Sequence, residues 1–73
     1  MIKLYTSAKH PQYWIAYVPV TGWTMFPAVE NGWERRQPAR GVDPMHVREV
    51  HLRLAANTGL MQAVQAIEEK RAA

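Results

Sequence analysis

The residues best suited to proton transfer or metal binding are three histidines and six carboxylates. The densest grouping is His46-Val47-Arg48-Glu49-Val50-His51. On a helix, His46 and Glu49 would be neighbours, but His51 would point about 140° away from His46. On a strand, Glu49 and His51 would share a face and His46 would point to the other side. Either way only two ligands converge, fewer than the three or four that zinc normally takes. No metal or other cofactor is expected.

Nucleophilic chemistry has still less to work with. Ser7 is the only serine, and no Gly-x-Ser-x-Gly elbow surrounds it. The chain has no cysteine, which removes thiolate nucleophiles, thiolate metal sites and disulfides together. Glu68-Glu69 reads as a solvated helix end, and Glu30 and Glu34 bracket a turn. Four scattered glycines make no phosphate-cradling loop. No catalytic set and no small-molecule substrate are therefore expected, and the chain reads as a non-enzyme.

Surface recognition remains. Trp33, Arg35, Arg36 and Arg40 lie within eight residues and form the candidate partner-binding set. Tryptophan beside arginine is the composition of a protein-interface hot spot. It also suits nucleic acid, where arginine meets phosphate and aromatic rings stack on bases. Between Trp33 and Arg53, five arginines stand against Glu34, Asp43 and Glu49, so the patch is only mildly basic. The whole chain carries a net charge of +3, a weak bias for a DNA-binding domain. A protein partner, or a second copy of the chain, is the first expectation; nucleic acid is the alternative.

These side chains must be held by a small scaffold. Seventy-three residues make one domain, 48% apolar and 21% charged, the balance of a folded protein. No apolar run approaches the roughly 18 residues of a membrane span. The N-terminus lacks a basic segment followed by an apolar core, so no signal peptide is expected and the default location is cytoplasmic.

Residues 1–40 are strand-rich. Ile2–Thr6 alternates like a strand, Ser7–Gln12 is a loop around His10-Pro11, and Tyr13–Val18 is a strand of aromatic and β-branched residues. Pro19-Val20-Thr21-Gly22 supplies a turn, and Trp23–Phe26 the next strand, closed by Pro27. Asn31-Gly32 supplies another reversal, after which Trp33–Gln37 reads as a further strand ended by Pro38. The phrase Gly-Trp thus occurs twice, ten residues apart. That spacing suits successive strands of a meander, so the repeat reads as turn chemistry rather than a duplicated site.

Residues 41–73 read as the helical half. Asp43-Pro44 resembles a helix start. Two readings compete for Met45–Ala56. Val47, Val50 and Leu54 share a helical face, whereas Val50, Leu52 and Leu54 alternate as a strand would. The helix is preferred because Leu54-Ala55-Ala56 favours helix and Asn57-Thr58-Gly59 makes a stop. Leu60–Arg71 is a helix with an apolar stripe of Leu60, Val64 and Ile67, and the last five residues are expected to fray.

The expected fold is therefore α+β: an antiparallel meander of three or four strands, then one or two helices packed on one sheet face. Its expected core is Ile15, Tyr17, Trp23, Met25 or Phe26, Val47, Val50, Leu54, Leu60, Val64 and Ile67.

Overall fold

The computed structural model describes residues 2–72. Among them, five strands form one antiparallel sheet: β1 (Leu4–Ser7), β2 (Tyr13–Val18), β3 (Gly22–Pro27), β4 (Gln37–Pro38) and β5 (Val47–Val50). One α-helix, α1 (Leu60–Ala72), follows. The architecture is α+β, with one strand more and one helix fewer than the fullest sequence expectation.

The meander forms where turn chemistry permits it. β2 and β3 are paired from Tyr13↔Pro27 to Val18↔Gly22, and Gly22 closes their hairpin at φ 84. At the hairpin tip, Val20 is fully exposed with φ 74, a conformation that a β-branched side chain resists.

The sequence expectation fails at the second Gly-Trp. Trp33–Gln37 is not a strand: Gly32–Arg35 forms one 3-10 turn, leaving only Gln37–Pro38 to pair with β3. Asn31 does take the positive φ expected of the Asn-Gly pair, at 58. The turn packs Gly32 so tightly on Pro27 that only glycine fits, since a Cβ there would run into the Pro27 carbonyl oxygen. Glu34 and Arg36 amides then bond back to the Asn31 and Trp33 carbonyls.

The helix preferred over Met45–Ala56 is also replaced, so residues 41–73 are not a purely helical half. Asp43 does cap, its Oδ1 accepting the Met45 amide at 2.9 Å, but the turn it starts ends at His46. The chain then extends as β5 beside β1, in the register Leu4↔Val50 to Ser7↔Val47. β-branched Val47 and Val50 suit that extended pairing, and an available sheet edge overrides modest helix propensity. Leu52–Thr58 follows as a 3-10 segment, with the His51 side chain accepting the Arg53 amide.

α1 matches its expected start and continues through Ala72, across the segment expected to fray; Ala73 lies outside the described residues. Gly59 ends the 3-10 segment at φ 87. The buried Thr58 hydroxyl joins the two elements, donating to the Ala55 carbonyl at 2.7 Å and accepting the Leu60 amide at 3.3 Å.

Strand order β4-β3-β2-β1-β5 sets the rest of the architecture. The segment from Ala39 to His46 must travel from one sheet edge to the other. It does so across the face opposite α1, where Ile15, Met25, Ala39 and Val42 line one cavity. One face is thus covered by α1 and the 3-10 turns, and the other by an irregular crossing segment.

Cross-strand partners share a face. Leu4, Ala16, Val18 and Phe26 therefore point toward α1 and form the core with Ile2, Trp33, Ala55 and Leu60. Val64, Ile67 and Val50 pack against it as expected. Four expected core residues lie elsewhere. Tyr17, Trp23 and Val47 face the opposite side, and Tyr17 is 51% exposed. Leu54 points outward from the 3-10 segment at 57% exposure. Ile15 is buried, but beneath the crossing segment rather than the helix.

Candidate functional site

Trp33, Arg35 and Arg36 remain neighbours because the 3-10 turn carries them together, but their roles divide. Trp33 is only 8% exposed. Its ring packs edge-on to Phe26, with centroids 5.1 Å apart. Arg36 lies over the same indole, its Cζ 5.1 Å from the ring centroid, and its Nη1 donates to the Trp33 carbonyl at 3.2 Å. The indole is therefore a core side chain capped by a guanidinium, an arrangement worth about 0.5–1 kcal/mol at such exposed sites. Arg35 is exposed beside it. Arg40 is separated from this group, because it belongs to the crossing segment and lines the cavity on the other face.

Beside Arg36 the surface is concave. A groove of about 780 Å³ lies between α1 and the β3–β4 edge. Val18, Trp33, Ala63 and Ile67 contribute apolar lining, with Glu34 and Arg36 as charged residues. Small residues make the depression: Ala63 and Ala66 keep α1 from filling the space beside the sheet. The exposed turn with Val20 flanks it, since Pro19 and Thr21 belong to the lining.

No family model, curated protein or solved structure matches this chain. The functional reading rests on geometry.

The sequence reading missed a second aromatic group. Tyr5, Tyr17 and Trp23 interlock on the sheet face opposite α1, with Trp23 5.2 Å from each tyrosine and edge-to-face angles of 66° and 78°. The available signal was alternation: residues 13, 15 and 17 share one side of β2, and Trp23 is the register partner of Tyr17. Lys3 and Glu49 are on the same side, their charged atoms 3.7 Å apart and exposed.

Two of the histidines serve local structure. His46 Nδ1 lies 3.1 Å from Asp43 Oδ2, and His51 caps Arg53. Among the described residues, no three His, Asp or Glu side chains group closely enough to hold a metal ion. No helix of the described residues is long and apolar enough to cross a membrane.

Proposed function

We propose that this chain is a small non-enzymatic binding domain, and that its partner is a protein segment seated in the groove between α1 and the β3–β4 edge. The supporting observation is that apolar groove, bordered by Arg36 with exposed Arg35 beside it. Apolar side chains of the partner would bury against Val18, Trp33 and Ile67, and acidic groups would meet the arginines. Truncated side chains on α1 let a partner backbone come close. In this reading the domain works in the cytoplasm, which cell fractionation would check.

A photo-crosslinking residue placed at Ala66 tests the proposal, since Ala66 is exposed and lines the groove. One discrete protein adduct should form in the cells that express the chain. It should disappear when Arg35→Glu and Arg36→Glu are combined, with an unchanged circular dichroism spectrum. An adduct indifferent to the double change would overturn this placement. A second copy in the adduct would identify the partner as the chain itself.

The nucleic-acid alternative moves to the other face, favoured there by the Tyr5–Trp23–Tyr17 group. Single strands stack on such platforms and bind more weakly as salt rises. A single-stranded oligonucleotide that leaves the Trp23 indole resonance unmoved at low salt would remove that alternative.

A further inference from the structure

The cavity beneath the crossing segment is distinct from the groove, since the sheet separates them. We infer that it is a binding site for a small amphipathic anion, an acidic head group on an apolar chain. Its volume is about 590 Å³. That falls within the roughly 300–1,000 Å³ of small-molecule sites.

The apolar half of the site is built from three parts of the chain. Ile15 and Met25 are register partners on the sheet, Val47 opens β5, and Val42 comes from the crossing segment. Ile15 is 1% exposed, and Met25, Val42 and Val47 are half-buried around it. Met25 adds a flexible thioether that adapts to ligand shape. The space exists because the residues that could fill it are small: Ala8, Ala39 and Gly41 all border it. Gly41 has φ 68, and a Cβ there would touch nothing within 4 Å.

The polar half is lopsided in charge. Lys9 and Arg40 line the cavity, and among the described residues neither has an ion-pair partner. Asp43 is the one carboxylate among the lining residues, and both its oxygens are engaged. Oδ1 accepts the Met45 amide, and Oδ2 faces His46. Ser7 and His10 add hydrogen-bonding groups beside Lys9. Two unpaired cations over an apolar floor complement a ligand with a negative head and a hydrocarbon body. Arginine in particular takes a carboxylate or phosphate through two parallel hydrogen bonds. A cationic amphiphile of the same length would meet repulsion, and a neutral one would leave both cations unpaired.

Methyl NMR titration with octanoate, octanol and octylammonium tests this, with the Ile15 and Met25 methyls as reporters. Octanoate should shift both saturably, and octylammonium should bind roughly ten-fold more weakly or not at all. Octyl phosphate against octanoate then separates a phosphate head from a carboxylate. Arg40→Glu, an exposed change, should weaken octanoate by a similar factor while the spectrum stays folded. Ala8→Phe, on an exposed loop, should fill the cavity and abolish the shifts. Octanoate that moves neither methyl, or equal binding of octanoate and octylammonium, overturns the inference. So does undiminished octanoate binding by the Ala8→Phe variant.

Discussion

The two faces of the sheet carry similar aromatic cargo and treat it differently. Toward α1, Phe26 is wholly buried between Trp14 and Trp33, edge-on to both rings. Away from α1, Trp23 holds the same edge-to-face geometry with Tyr5 and Tyr17, yet the group stays partly open. Ring contact alone does not make a core; a covering layer does. A chain of this size has one helix to spend as cover, and the opposite face receives only the Ala39–His46 crossing. Stability should therefore concentrate on the helix face.

The sharpest test pairs one aromatic from each face. Phe26→Ala should cost about 3–5 kcal/mol, as for a fully buried ring, and could unfold so small a domain outright. Trp23→Ala should cost less, about 2–3 kcal/mol, since the indole is only partly buried. Urea unfolding of both variants decides; equal losses would break the distinction between the faces.

Gly32→Ala comes next. The added methyl cannot coexist with the Pro27 carbonyl, so the turn must open and lift Trp33 from Phe26. A loss of about 2–4 kcal/mol is expected, comparable to other core-disrupting changes. Tryptophan fluorescence should shift to the red as the indole reaches water.

Thr58→Val addresses how the helix is fastened. It removes the hydroxyl that caps α1 and holds the Ala55 carbonyl, at an expected cost of about 1–2 kcal/mol. Thermal unfolding should show a lower midpoint with the sheet register intact. The smallest effect is a gain. Val20→Asn relieves a positive φ at the hairpin tip and should stabilise by about 0.5–1 kcal/mol. If the groove takes a protein partner, the same change should weaken crosslinking at Ala66, because the exposed apolar tip is lost.

The two Gly-Trp phrases show how far sequence reading reaches. Both were legible as reversals, and Gly22 and Asn31 do take positive φ. The local pattern did not separate Trp23, which enters a strand, from Trp33, which enters a 3-10 turn where only glycine fits against the Pro27 carbonyl. The candidate set fared similarly. Its Trp33–Arg35–Arg36 portion held together because it lies within one turn and its cap, and Arg40 separated because the chain leaves the sheet edge after Ala39, whose amide still bonds the Trp23 carbonyl.

What the sequence determined by itself is what residues a few positions apart can settle. The turns at Gly22 and Asn31, the Asp43 cap, the strands around β2 and β3, and the span of α1 all follow from backbone preferences, local hydrogen bonds and apolar periodicity. Tertiary structure decided the rest. Residues 47–50 became a strand because β1, 40 to 46 positions earlier in the chain, offered an edge. Register then assigned each aromatic to a covered or an open face, and the strand order sent the crossing segment over a cavity. Those outcomes depend on pairings between distant segments, whose free energy exceeds the small local preferences that sequence patterns report.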